Sequence, residues 1–168
     1  GLDLNILLVE KSSLESISKP KPDGREIALT HHSRKILIKL GVWALIDEAK
    51  VSPLKEAKVF DGGSDSLLNF DAKKSAIEAL GYLVPNHLIR AALFERASQA
   101  DNVMILNELM VDGVNTTNTG AEISLSNGKT IKSKLVVAAD SRFSEIRRKM
   151  GIPSVMKDFS MVMITTRM

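Results

Sequence analysis

"LNILLVEK", residues 4–11, is the stretch on which the reading of the chain turns. Ile6, Leu7, Leu8 and Val9 run without alternation and stop at Glu10, which is followed by Lys11. An unbroken apolar run of this length is the pattern of a strand buried on both faces of a parallel sheet. It lies just after Gly1, a residue type that often closes a helix. The acidic residue at its end has two readings: a solvated strand end, or a carboxylate that accepts hydrogen bonds from ribose hydroxyls. In dinucleotide-binding units that carboxylate lies about 20 residues beyond a G-x-G-x-x-G loop. No such loop occurs in this chain, so the strand by itself favours the solvated end.

Working outward, 168 residues are one domain's worth of chain and enough to bury a core. With 44% hydrophobic and 26% charged residues, the composition excludes disorder. The net charge of +3 comes from scattered Lys and Arg, which gives no nucleic-acid partner. No run reaches the roughly 18 apolar residues of a membrane-spanning helix. With no cysteine there is no disulfide, zinc–thiolate site or thiol catalysis. Neither a Met start nor a signal-peptide pattern is present, so the chain is expected to begin inside a longer protein.

Residues 12–24, "SSLESISKPKPDG", read as a mobile loop. In 30–50, Ile36, Leu37, Leu40, Trp43 and Ala44 fall at helical spacing with a soft break at Gly41, giving a helix with one face in the core. "LKEAKVFDGGSDSLLNFD" (54–71) predicts a hairpin around Asp61, Gly62, Gly63 and Ser64. Asn86 is placed to cap a second amphipathic helix carrying Leu88, Ile89, Ala92 and Leu93. Three strands are expected next, in "NVMILNELMV", "AEISLS" and "KTIKSKLVVAAD", with Asn127-Gly128 as a hairpin signal. "SEIRRKMGIPS" is a short helix stopped by Gly151 and Pro153, and "SMVMITTRM" a last strand. A parallel-type strand, helices, an antiparallel meander and a return to an apolar strand ending in Asp140 together predict an α/β dinucleotide-binding domain with a β excursion.

Three segments change the odds for Glu10. "DGREIAL" (23–29) with "SRKILIKLGVW" (33–43), "GYLVPNHLIRAALFERA" (81–97) and "KLVVAADSRFSEIRR" (134–148) resemble, in order and spacing, segments of the flavin-dependent aromatic hydroxylases of ubiquinone biosynthesis. The first resembles that family's Asp-x-Arg-x-x-Ala-Leu segment with the Leu-Gly-x-Trp that follows. The last resembles its second flavin fingerprint, Ala-Asp-Gly-x-x-Ser-x-x-Arg. The resemblance implies a Rossmann-like FAD-binding domain of the aromatic-hydroxylase type with an inserted antiparallel β-meander, lacking its first strand and glycine loop. Residues 1–168 are then a partial FAD-binding domain, with 52–85 and 154–168 contributing strands toward the substrate domain.

The same resemblance carries cofactor roles onto five residues. Glu10 matches the acid that binds the adenosine ribose, and Lys11 the basic residue that flanks the adenosine. Arg25 matches the arginine that reaches back to the flavin, a role suited to a planar, permanently charged guanidinium. Asp140 matches the fingerprint aspartate near the ribityl and pyrophosphate region, and Val111, ending the strand "NELMV", the position whose backbone meets adenine. Each has a plainer alternative: Arg25 as a solvated loop cation, Asp140 as an acid favoured by a helix dipole. Arg147, Arg148 and Lys149 read as a solvated last turn. His31 and His32 are adjacent, so they point apart on a helix, and without further ligands at suitable spacing they make no metal site. No catalytic side chain is assigned. Ser141 departs from the fingerprint by standing where Gly is usual.

What the resemblance implies for the whole protein is an FAD-dependent monooxygenase that uses NAD(P)H and O2 to transfer an OH group to the ring of a polyprenylated phenol or quinol. Its place is cytoplasmic and peripheral to the inner membrane, as so greasy a substrate suggests. An open edge beside "LNILLVE" leads to self-association of the chain. Two rivals stay open: a flavin-dependent reductase of isoprenoid chains, and a structural fragment that binds no flavin.

Overall fold

In the computed structural model, residues 4–60, 62, 63, 67–141, 143–162 and 164 are described. The chain divides into two units, one up to Glu108 and one from Leu109 on. In the first, β1 (Ile6–Val9) pairs in parallel with β7 (Val103–Leu106), Ile6 opposite Val103 and Val9 opposite Leu106. Asn102 fixes the start of this ribbon, since its carbonyl accepts from Ile6 N at 2.8 Å and its side-chain Nδ2 donates to Leu4 O at 2.7 Å. The expected parallel strand is present. Its burial on both faces is not: Leu7 and Val9, on one face, are half-buried, while Ile6 and Leu8, on the other, stay exposed.

Residues 12–24 depart from the loop reading, for they contain a short helix, α1 (Leu14–Ser18). Ser13 caps it by accepting from Ser16 N, and Glu15 favours its first turn. β2 (Glu26–Leu29) then leads through the cap Thr30 into α2 (His31–Lys39), with Thr30 Oγ1 accepting from Ser33 N at 3.1 Å.

Gly41 ends α2 at φ +73°, where Gly41 N donates to Ile38 O and Val42 N to Leu37 O, both at 2.9 Å. This paired closure brings Val42 over Leu37. It also redirects the apolar face. Leu37, Val42, Trp43 and Ile46 are buried, whereas Ile36, Leu40 and Ala44 of the expected helical stripe are exposed. Trp43 lies in a 3-10 turn, Trp43–Leu45.

After β3 (Ser52–Leu54), β4 (Glu56–Phe60) and β5 (Leu67–Asp71) form the predicted antiparallel hairpin. Gly62 and Gly63 stand in its turn, while Asp61 and Ser64 lie outside the described residues.

β6 (Gly81–Pro85) is the middle strand of an antiparallel sheet, with β2 on one side and β3 on the other. Val84, fully buried, joins Leu37, Val42, Trp43, Ile46 and Ala92 in one core. Beside that core the Arg34 guanidinium lies 4.9 Å from the Trp43 ring centre and 4.5 Å from that of Tyr82. In the following helix α3 (Asn86–Ser98), Pro85 occupies the N-cap position without a side-chain hydrogen bond, and the Asn86 side chain is committed to Asp23 instead of capping.

In the second unit, β8 (Val111–Thr117), β9 (Gly120–Leu125) and β10 (Thr130–Ser133) make the expected meander. "NVMILNELMV" is two strands where one was expected, β7 and the start of β8, separated at Glu108 with φ +57°. The Asn127-Gly128 turn forms as predicted: Gly128 has φ +78° and Asn127 Oδ1 accepts from Lys129 N.

"KLVVAAD" is not a strand here. Its Leu135 N bonds to the Ser133 hydroxyl instead of to a neighbouring strand, and Leu135 and Val137 are each 77% exposed. α4 (Glu145–Lys149) closes as predicted at Gly151, φ +67°. Of the last expected strand, residues 160–162 and 164 are described and form none; the remainder lie outside the described residues.

A Cβ at Gly81 would stand 2.5 Å from Leu29 O, between β6 and β2. Gly81→Ala is therefore expected to cost about 2 kcal/mol, the scale of a backbone shift forced by overpacking. Urea unfolding followed by circular dichroism checks this; an unchanged midpoint would show that the strand pair has slack.

Candidate functional site

In the first unit the chemistry gathers at strand ends. Glu10 follows the C-terminal end of parallel β1, with its backbone N donating to Leu106 O at 2.9 Å. Its carboxylate turns back to accept from Ser12 N at 2.8 Å, which closes the turn after the strand. Partial burial pushes this carboxyl upward, but hydrogen bonds from Ser12 and the charge of adjacent Lys11 outweigh that and hold it below the ordinary glutamate range. Lys11 is exposed beside it.

Arg25 stands just before β2 and is exposed. Its Nε and Nη2 both donate to Asp23 Oδ2, at 2.9 and 2.6 Å, while its backbone N donates to Asp23 Oδ1 at 3.1 Å. Asn86 completes the arrangement from α3: its Nδ2 donates to the same Asp23 Oδ2 at 2.7 Å, and its backbone N to Arg25 O at 2.9 Å. The Arg25 guanidinium first, and the Asn86 amide second, hold the Asp23 carboxyl far below the usual carboxylate range. Arg25 is thus no free loop cation. Sequence reasoning named neither Asp23 nor Asn86 as a site residue: Asn86 was read as a helix cap, and Asp23 stood only within the Asp-x-Arg segment.

The second unit places its two expected residues around α4. Asp140 Oδ1 accepts from the Ser144 hydroxyl and Oδ2 from Ile146 N at 3.2 Å. Ser144 is buried and also caps α4 by accepting from Arg147 N at 3.0 Å. The Ser144 hydroxyl is the main cause that lowers the Asp140 carboxyl below its ordinary value, against an opposing effect of burial. Asp140 therefore does the helix-terminus work that its plainer reading foresaw.

Val111 starts β8 instead of ending a strand, at a bulge between Val111 and Gly113. Lys149, far from being a purely solvated cation, reaches back from α4, its Nζ 3.3 Å from Val111 O and 2.9 Å from Asp112 O. An open groove of about 670 Å³ runs past this helix, with Lys134, Leu135, Ser141, Ser144 and Arg147 among its walls. Ser141 itself has φ +85°, a conformation that favours glycine and explains why Gly is the usual residue at this fingerprint position.

His31 is engaged structurally: its Nε2 lies 2.7 Å from Ala79 O and its ring packs edge-on against Tyr82. Among the described residues no three His, Asp or Glu side chains group as a metal site. Nor is any helix among them long and apolar enough to cross a membrane.

No family model matches the chain. In structure it is similar to PqsL, a probable FAD-dependent monooxygenase from Pseudomonas aeruginosa, with TM-score 0.69 and 20% identity over 90% of this chain and 40% of that one. It is also similar to p-nitrophenol 4-monooxygenase PnpA from Pseudomonas putida DLL-E4, with TM-score 0.64 and 17% identity over 89% of this chain and 36% of that one. The parallel ribbon, the antiparallel sheet and the meander are thus the fold of the FAD-dependent monooxygenases of aromatic-hydroxylase type.

In sequence the chain is 46% identical to ubiquinone hydroxylase UbiM of Neisseria meningitidis over 100% of its own length and 37% of that protein's. It is 30% identical to the mitochondrial ubiquinone biosynthesis monooxygenase COQ6 of Danio rerio over 92% of its length and 35% of that protein's. Over nearly its whole length the chain is similar to ubiquinone-biosynthesis hydroxylases. It spans about a third of the length of the curated relatives it matches.

Relief of the left-handed strain makes Ser141→Gly stabilising by about 1 kcal/mol, read as a higher thermal midpoint. In Ser144→Ala the Asp140 carboxyl, followed by carbon-detected NMR titration, is expected to rise toward the ordinary aspartate value. An unmoved titration would remove the Ser144 hydroxyl as its cause.

Proposed function

We propose that this chain supplies the FAD-binding portion of a monooxygenase that hydroxylates the aromatic ring of a ubiquinone precursor, a polyprenylated phenol or quinol, with NAD(P)H as reductant and O2 as oxidant. The observation that carries the reading is Glu10, an ionised, acceptor-only carboxylate at the C-terminal end of a parallel strand, where open α/β sheets receive nucleotides. A carboxylate offers about four lone-pair sites, and Ser12 N takes one of them, so ribose hydroxyl donors fit.

Bound FAD would supply the redox chemistry and the oxygen transfer. The chain's own residues bind and orient it. Glu10 accepts from the ribose, Lys11 flanks the adenosine, and the Val111 backbone meets adenine at the bulge. Arg25 offers guanidinium donors to the flavin, and Asp140 fixes the turn that faces the ribityl and pyrophosphate region. None of these moves a proton in the reaction. The hydroxylase relatives favour this reading over a reductase of isoprenoid chains.

In the same reading, residues 52–85 contribute strands toward the substrate domain through β3, β4, β5 and β6; the described residues of 154–168 form no strand. Exposed Val155, Phe159, Met161 and Val162, with the open face of β1, support self-association. The greasy substrate supports a cytoplasmic protein that associates peripherally with the inner membrane.

Incubation with excess FAD followed by gel filtration should leave a yellow protein, with the flavin lost in Glu10→Ala and in Asp140→Ala. Glu10 is depressed in the folded chain, so its contribution is present above the ordinary glutamate range and is lost as pH falls through its lowered value. Flavin retention should follow that acid limb. A colourless wild-type protein would sink the proposal for this chain.

A further inference from the structure

We infer that Asp23, clamped by Asn86, is a positioning residue that sets the Arg25 guanidinium in the orientation used toward the flavin; this rests on the cofactor reading above. The asymmetry of the pair carries the assignment. The Asp23 side chain is 27% exposed and that of Arg25 is 66% exposed, so the acid is the anchored member. Four donors fix it: Arg25 N on Oδ1, and Asn86 Nδ2, Arg25 Nε and Arg25 Nη2 on Oδ2.

Asn86 opens α3, and its backbone N holds Arg25 O. The acid and the backbone of the arginine are thereby both tied to one helix. An exposed arginine otherwise samples many rotamers, and ordering it on a ligand costs affinity. Here Nε and one Nη2 hydrogen are spent on Asp23, which leaves Nη1 and the remaining Nη2 hydrogen of the planar fork facing away from the acid. The ion pair has little to give to stability at this exposure. Its geometric effect, a fixed direction for the remaining donors, is what a binding site uses.

Two measurements on the full chain test this. In 15N spectra of the arginine Nε–H groups, the Arg25 signal should be ordered and slow to exchange in the wild type. It should become mobile in Asp23→Ala and intermediate in Asn86→Ala, with circular dichroism unchanged. Equal mobility in the wild type and Asp23→Ala would overturn the inference, and this arm needs no ligand.

In FAD titrations, Asp23→Ala should weaken binding about fivefold in the wild-type background and not at all in Arg25→Ala, the scale of a single exposed ion pair's coupling. The same loss in both backgrounds would make Asp23 merely structural and overturn its positioning role. No FAD binding by the wild type would instead refute the cofactor reading, and the NMR arm would still decide whether Asp23 orients Arg25.

Discussion

The register of β6 is the constraint on which the first unit rests. Gly81 must lack a side chain because Leu29 O lies where its Cβ would go, Tyr82 supports one face of the stacked Arg34, Val84 is fully buried, and Pro85 leads directly into α3. β2 and β3 pair with this strand alone among the described residues. Glu26 lies opposite Pro85 and Arg25 O receives Asn86 N, so the backbone of Arg25 is placed by the last residues of β6 and the first of α3. A slip of one residue would turn Val84 out of the core and carry Asn86 away from Asp23 and Arg25 O, which couples packing to the site.

Most of the elements were legible because local signals carried them. The unbroken run before Glu10, the glycines between β4 and β5, the Asn127-Gly128 pair and the Gly151 stop each act through the conformation of a few residues. The errors arise where a distant partner, a local closure or a missing neighbour redirects a segment whose composition was read correctly. Asn86 looks like a cap until Asp23, far off in sequence, claims its amide. The helical stripe of Ile36 and Leu40 is correct as a period, but the closure at Gly41 turns the chain so that Val42 and Ile46 take the core instead. "KLVVAAD" has the composition of a strand, yet an extended segment becomes one only where a neighbour accepts its hydrogen bonds.

The site was legible to a different degree. Chemical type and position relative to a strand end singled out Glu10, and the family resemblance singled out Arg25 and Asp140. The supporting roles of Ser12, Asp23, Asn86, Ser144 and Lys149 were not legible, Asn86 reading as a helix cap and Lys149 as a solvated cation. Their roles depend on where a hydroxyl, an amide or an ammonium arrives after folding. Ser141 is instructive in the other direction: its departure from the usual Gly was visible in the sequence, while its meaning, a backbone at positive φ, belongs to the structure.

Glu10, Asp23 and Asp140 share one physical device. Each lies in or beside a turn, each has its carboxyl lowered, and in each the hydrogen bonds that lower it also define the backbone there. Ser12 N closes the turn after β1, Arg25 N the turn before β2, and Ile146 N the entry into α4. Ionisation and backbone shape are therefore linked: protonating any of these acids weakens an acceptor that its turn uses. The donors are close in sequence, except for Asn86, so most of each turn is encoded within a few residues of its acid. Asn86 ties one of these local motifs to the main helix of its unit, and that makes the Arg25 turn the one whose geometry depends on the fold as a whole.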